Sequence, residues 1–209
     1  MAFLLIILFE LSLLYLAFTE RVKRFLFILM AQGLLLFGIA YLHLKQVDTL
    51  EFTFILTETI IIKGLLVPIF LNRLRKRNNF ERLAHSKFPS FVSILAVSAA
   101  IAFGFLLGER MHDNDLQSKF FSASIAAIIT GIYFVIIHRN ILTHLIGYLI
   151  MQNGVFLLSL AVGNEFPLIV NTAILLDIFV GVLVLGIFVN RIGDRFQQMH
   201  IDELAQLKD

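Results

Sequence analysis

Residues 57–74 read TETIIIKGLLVPIFLNRL. The stretch is almost wholly apolar, yet it holds Glu58, Lys63 and Pro68 and runs into a basic cluster, Arg73, Arg75, Lys76 and Arg77. A core helix of a water-soluble domain does not need so long a block of Leu, Ile and Val. A helix that faces only lipid does not tolerate a Glu and a Lys. The combination predicts a membrane-spanning helix with a polar site inside it, anchored at one end by positive charge.

Composition extends this reading to the whole chain. Of 209 residues, 59% are hydrophobic and 15% are charged, and the mean hydropathy is +0.89. The apolar residues come in blocks, several of them close to the roughly 20 residues that cross a bilayer. They lack the alternation of a transmembrane barrel strand. The predicted class is an all-α polytopic membrane protein, one membrane domain over 1–209. The chain has no cysteine, which excludes disulfides, iron–sulfur clusters and thiolate metal sites. A net charge of +2 and a pI of about 9.0 could suit nucleic acid in a soluble protein. Here the basic residues flank the apolar blocks, so membrane orientation accounts for them and no nucleic-acid partner is expected. The N-terminal MAFLLIILFELSLLYLAF has no basic leader and no small-residue cleavage site, and is read as a retained first helix.

Seven spans are predicted, at about 2–18, 25–44, 52–71, 91–107, 120–137, 141–162 and 168–189, followed by a polar tail over 190–209. Arg21, Lys23 and Arg24 lie between the first two. The segment 72–90 carries six basic residues against one acid, Glu81, and the third basic turn holds Arg139. The intervening loops are neutral to acidic. The positive-inside rule then puts the N-terminus outside and the C-terminal tail in the cytoplasm. The fourth helix is rich in small residues (Ser93, Ala96, Ser98, Ala99, Ala100, Gly104, Gly108), which favours close helix approach. A weak parallel repeat relates spans one to three and five to seven. Residues 30–40, MAQGLLLFGIA, match residues 151–161, MQNGVFLLSLA, at four of eleven positions, and Asn72-Arg73 is echoed by Asn190-Arg191. Parallel repeats of this kind occur in membrane transport proteins.

The polar residues inside the spans are the candidate site. An ionised Glu58, about one third of the way along the third span, or Asp177, near the centre of the seventh, costs about 2.5 kcal/mol or more unless paired, hydrated or protonated. Asp177 lies near the centre of the seventh span with no basic residue within four positions, which makes it the foremost candidate. Lys63 follows Glu58 by five positions, about 140° around an α-helix, so the two are not expected to stack. Lys63 would then reach Asp177, Glu10 or an acid of a neighbouring subunit, or snorkel to the interface. Pro68 frees a carbonyl near Gly64 and predicts a kink. Gln32, Gln152 and Asn153 are mid-helix amides, suited to relaying through water or to joining helices. His144 is expected in a helix, as a relay or an interface residue, and His138 at a turn. Glu10 is a further ion-path candidate. No residues form a metal set, a phosphate loop or a catalytic triad, so no cofactor and no catalysis by this chain alone are expected.

Ile146-Gly147-Tyr148-Leu149-Ile150-Met151-Gln152-Asn153-Gly154-Val155-Phe156, Asp177-Ile178-Phe179-Val180-Gly181 and the run from Thr57-Glu58 to Pro68 resemble a known family. Over its whole length the chain resembles the E-type membrane component of hydrogenase-4 complexes, relatives of formate hydrogenlyase. Spans five to seven are also similar to the small K-type subunit of respiratory complex I and to the C-type subunit of multisubunit cation/proton antiporters. In the K-type pattern Gly-Leu-Glu-x-Met-x-Asn, Leu149 takes the place of the glutamate, while Met151 and Asn153 persist. Asp177 stands where the next helix carries a second glutamate, and Gln152 where E-type members often have Glu. Glu58, Lys63 and Gly64 match a Glu-x-x-x-x-Lys-Gly pattern of the E-type component.

The resemblance implies a subunit of a bacterial or archaeal cytoplasmic-membrane complex. Such complexes couple redox chemistry or ion antiport to proton or sodium movement. This chain would contribute to the central polar axis, between an antiporter-like subunit and a subunit of the quinone-site foot. The rival readings are a non-conducting scaffold in the same complex and a stand-alone small transporter.

Overall fold

A computed structural model describes residues 1–19, 21–43, 53, 57–77, 90–110, 115–138 and 141–162. The described residues are almost entirely helical. The elements are α1 (Ala2–Phe18), α2 (Val22–His43), a π-helix (Glu58–Leu66) that continues into α3 (Val67–Arg77), α4 (Ser90–Gly108), α5 (Asp115–Ile137) and α6 (Ile141–Val162). Four of them contain segments long and apolar enough to cross a membrane: Val22–His43, Phe91–Gly108, Leu116–Ile137 and Thr143–Val162. The helix α1 is as apolar but shorter. The seventh predicted span, with Asp177, and the polar tail lie outside the described residues, as does Arg139.

The boundaries differ from the sequence expectation where charge borders an apolar block. The helix α2 begins at Val22, not 25, so Lys23 and Arg24 are its first-turn residues. The third helix runs to Arg77 rather than 71 and carries the whole basic cluster on its final turn and a half. The helix α5 begins at Asp115, not 120, taking in Ser118 and Lys119. Charged residues at helix ends continue the hydrogen-bond ladder into the interface, so the apolar block marks the membrane core, not the helix.

The third helix departs more deeply from expectation, because Glu58–Leu66 is wound as a π-helix. Pro68 supplies a reason. Its ring has no N–H and crowds the carbonyl one α-turn earlier, and i→i+5 bonding upstream opens the turn that would otherwise clash. The π winding also revises the angular argument for Glu58 and Lys63. Bonding from i to i+5 stands position 63 one turn above position 58 on the same side of the helix. The Glu58 side chain lies outside the described residues.

Glycine and serine set how closely the helices approach. A Cβ on Gly131 of α5 would lie 2.6 Å from the Gly147 carbonyl of α6, and one on Gly147 would lie 2.8 Å from the Gly131 carbonyl. This mutual contact lets α5 and α6 pack more extensively than any other pair. Gly131→Ala should therefore force the backbones apart and cost about 1 kcal/mol or more, as overpacking does. The check is the thermal midpoint in detergent: an unchanged midpoint would remove Gly131 as a packing determinant. Along α4, Ser93, Val97, Ala100, Gly104 and Gly108 form the inward stripe, with Ser93 accepting from Tyr133 Oη at 3.0 Å. Ser98 and Ala99, expected to aid packing, instead face outward. So do Phe27, Phe91, Leu95 and Ile136. An apolar exterior around polar interior contacts is the arrangement a bilayer requires.

Contacts at the helix ends show which ends lie together. Lys119 Nζ sits 4.6 Å from the Phe3 ring centre, and the His43 ring meets Phe120 edge-on at 4.9 Å. The starts of α1 and α5 and the end of α2 therefore share one side of the bundle. At the other, Phe25 of α2 meets Phe134 of α5 at 5.6 Å.

Candidate functional site

Gln32, Lys63, Gln152 and Asn153, four of the buried polar side chains, lie together at one level. Gln32 is the eleventh of the 22 residues of α2, and Asn153 the thirteenth of the 22 of α6. Both are buried, and Asn153 Nδ2 donates to Gln32 Oε1 at 3.1 Å. Gln32 Nε2 donates to Ser12 Oγ of α1 at 2.8 Å, and the Ser12 hydroxyl donates to the Phe9 carbonyl at 2.6 Å. One directed chain thus ties α6 to α2 to α1. The residues it joins, Gln32 and Asn153, are equivalent positions of the sequence repeat.

The π-helix reaches the same level. Gly33 of α2 faces Gly64, and a Cβ on Gly33 would lie 3.0 Å from the Gly64 backbone. Two glycines in register bring the π-helix against α2 and carry its neighbour Lys63 inward. Lys63 is only 6% exposed, and its ammonium lies 4.3 Å from the centre of the Phe156 ring of α6. A small cleft, with room for roughly one water, opens between Lys63, Gln152 and Asn153, walled by Leu29, Val67 and Leu149. Gln152 is turned along its own helix, where Nε2 donates to Tyr148 Oη at 2.9 Å.

These distances separate two kinds of chemistry. The Asn153–Gln32–Ser12 chain ends on a backbone carbonyl, which holds no proton to hand on, so in this arrangement it fastens helices. Lys63 is different. A cation at mid-helix costs about 2.5–3.5 kcal/mol on insertion scales, and a desolvated ring contact returns about 2 kcal/mol. The ring contact thus offsets a large part of that cost.

Of the predicted site residues, Gln32, Lys63, Gly64, Gln152 and Asn153 are thus brought together. Pro68 is buried just beyond them on α3. Glu10 is not part of the group. It is half-buried on α1, two positions from Ser12 and so on nearly the opposite side of that helix. His144 is also apart, about 13 Å along α6 from Asn153 at 1.5 Å per residue. Its Nε2 donates to the His138 carbonyl at 2.6 Å. Arg21, Lys23, Arg24, Arg73 and Lys76 are exposed, and Arg75 Nε donates to Asn72 Oδ1 at 3.2 Å. The Arg77 side chain lies outside the described residues. Ser12 and Phe156 are site residues that no sequence signal had singled out.

The turn between α5 and α6 carries a pH-sensitive group. His138 is buried, stacked on Phe134 at 5.2 Å, with Nδ1 donating to the Phe134 carbonyl at 3.1 Å. Burial pushes its pKa below the ordinary 6.5; the carbonyl bond opposes this, and His144 adds to the lowering. The folded chain therefore binds fewer protons at this site than the unfolded chain. The resulting stability is complete above pH 6.5 and is lost as pH falls towards and through the folded value. Melting between pH 7.5 and 5 should show a falling midpoint in the native chain and a shallower fall in His138→Gln. Parallel slopes would reject the assignment.

Comparison with known proteins adds one finding. Residues 119–209 match the family described as NADH-ubiquinone/plastoquinone oxidoreductase chain 4L. The match covers α5 from Lys119, all of α6 and the chain beyond, and leaves the π-helix and Lys63 outside it. It agrees with the K-type similarity read from Gly147 to Asn153, and does not bear on the likeness to the E-type component of hydrogenase-4. A search of curated proteins and a search of solved structures each returned no match. The apolar helices are those of a multi-pass membrane protein, and the match concerns its second half.

Proposed function

We propose that this chain is an integral subunit of a complex I-like membrane complex, related to the membrane arm of group 4 hydrogenases. In it, the polar level at Lys63, Gln152 and Asn153 forms part of the axis along which protons or sodium ions move. The observation that carries the proposal is the chain 4L match over residues 119–209. The Glu58, Lys63-Gly64 and Pro68 set supports the closer likeness to the E-type component of hydrogenase-4. The chain would span a bacterial or archaeal cytoplasmic membrane seven times, with its N-terminus outside. It would lie between an antiporter-like subunit and a redox-linked subunit, and would itself catalyse nothing.

A scaffold role in the same complex is the second reading. The observation that favours it is the Asn153–Gln32–Ser12 chain, which binds three helices and ends on a carbonyl. Isolation from native membranes through a tag on this chain tests both. An antiporter-like and a redox-linked membrane subunit should co-purify in fixed ratio, and the reconstituted complex should move protons or sodium ions during turnover. A chain that purifies alone and stable would sink the subunit reading. Stoichiometric partners without ion movement would leave the scaffold.

A further inference from the structure

The basic residues of α2 and α3 come to one end of the bundle and to one level. Gly33 of α2 meets Gly64 of the π-helix, and Leu29 shares a cleft wall with Val67. A step back along α2 thus answers a step forward along the third helix, and the two run antiparallel. Arg24 stands nine residues before Gly33, and Arg73 nine residues after Gly64. At 1.5 Å per residue, slightly less over the π turns, both lie about 13 Å from the glycine contact. Arg21, Lys23, Arg24, Arg73 and Lys76 are all exposed there. We propose that this paired basic face binds the phosphate of an anionic phospholipid, whose acyl chains lie along the exposed apolar stripes beneath it. Such a site does not depend on whether the complex moves ions.

Depth, charge and exposure each point to a lipid. Gly33 follows Gln32, the eleventh of the 22 residues of α2, so the glycine contact marks the middle of the span. Half of a hydrocarbon layer is about 15 Å. Long basic side chains that start about 13 Å from the middle therefore reach the level of lipid phosphates. On each helix the exposed cations continue an exposed apolar stripe. Lys23, Phe27 and Leu34 follow one another at four and seven positions on α2, and Ile69, Arg73 and Lys76 at four and three on α3. These spacings keep each set on one helix face. A soluble phosphate gains nothing from Phe27, Leu34 and Ile69, whereas a phospholipid covers the cations and the apolar residues at once. Among the described residues no carboxylate lies at this end, and Arg75 bonds Asn72 rather than an acid. Residues 20–24 carry three basic residues against Glu20, and residues 72–90 carry six against Glu81. An excess of positive charge is thus left for an outside anion, and guanidinium groups suit phosphate because they bond it through two parallel N–H groups. Membrane orientation requires only a count of positive charges near the helix ends, not two clusters in register above apolar stripes.

Photoactivatable phosphatidylglycerol and phosphatidylcholine test the site on whatever assembly a tag on this chain isolates from native membranes, with the labelled peptides mapped by mass spectrometry. Phosphatidylglycerol should label 23–27 and 69–76 about tenfold more than phosphatidylcholine does, and excess inorganic phosphate at constant ionic strength should not displace it. Lys23→Gln, Arg73→Gln and Lys76→Gln should each lower that labelling about fivefold, the scale of one basic residue at an anionic surface. Lys119→Gln, at the opposite end of the bundle, should leave it unchanged. Equal labelling by the two lipids would reduce the basic residues to orientation signals and overturn the proposal. Displacement by inorganic phosphate would make the ligand a soluble anion and overturn it as well. No labelling by either lipid would show another protein covering this face, with the same consequence. Should the variants fail to insert, the comparison of the two lipids on the native chain decides alone.

Discussion

Replacing Asp177 by Asn is expected to lower ion movement by the assembled complex about a hundredfold, the low end of what a positioned proton-transfer group contributes. Asp177 is the tenth residue of the predicted span 168–189 and has no basic residue within four positions. Its charge at that depth would cost about 2.5 kcal/mol or more if it stood alone. Asn keeps the size and the hydrogen-bonding capacity, so helix packing should survive, but it exchanges no proton. Glu58→Gln applies the same logic to the other half of the repeat. The measurement is ion uptake into liposomes per redox turnover, with subunit content checked on the same preparation. Normal uptake by an intact Asp177→Asn complex would remove Asp177 from the path, and normal uptake by both variants would leave the acids as packing contacts.

The membrane class was legible because it depends on block length and apolarity, which need no tertiary information. The polar level was legible in part. Gln32, Lys63, Gln152 and Asn153 stood out because each is costly in lipid, and the repeat had already aligned Gln32 with Asn153, the two residues that bond to each other. Ser12 escaped notice because a serine can bond its own helix, as it does to Phe9, and so bears no visible cost in sequence. Phe156 escaped because one more aromatic in an apolar helix carries no signal until a cation lies over it. The angular argument for Glu58 and Lys63 took the 100° step of α winding, whereas the backbone there is π-wound. A proline ten residues after Glu58 predicts a disturbance, but a kink and a widening into π turns both relieve its clash, and the sequence does not choose between them. Helix ends were misplaced where charge borders an apolar block, since hydropathy tracks lipid contact while helix bonding continues past it.

The Gln32–Asn153 bond makes the second large prediction, and it concerns stability. Gln32→Leu leaves the buried Asn153 amide without its acceptor and removes the donor to the Ser12 hydroxyl. Asn153→Leu strands the Gln32 carbonyl. Each single change should cost about 1–3 kcal/mol, the scale of an unsatisfied buried polar group. Interhelical hydrogen bonds within membranes average only about 0.6 kcal/mol, because the separated helices find other partners, so values near the lower end are expected. The double variant, Gln32→Leu with Asn153→Leu, replaces both polar groups by apolar ones and leaves only Ser12, which already bonds the Phe9 carbonyl. Its cost should therefore be smaller than the sum of the two singles, with a coupling of about 0.5 kcal/mol or more. Unfolding of this subunit in the complex isolated through its tag, by graded denaturing detergent, gives all four stabilities on one scale. Strict additivity would mean that the two amides do not depend on each other, and the fastening of α6 to α2 would then rest on the surrounding apolar contacts and the Gly33–Gly64 approach. A clear coupling would instead show that the two halves of the chain are held at mid-membrane by the pair of side chains that their sequence repeat makes equivalent.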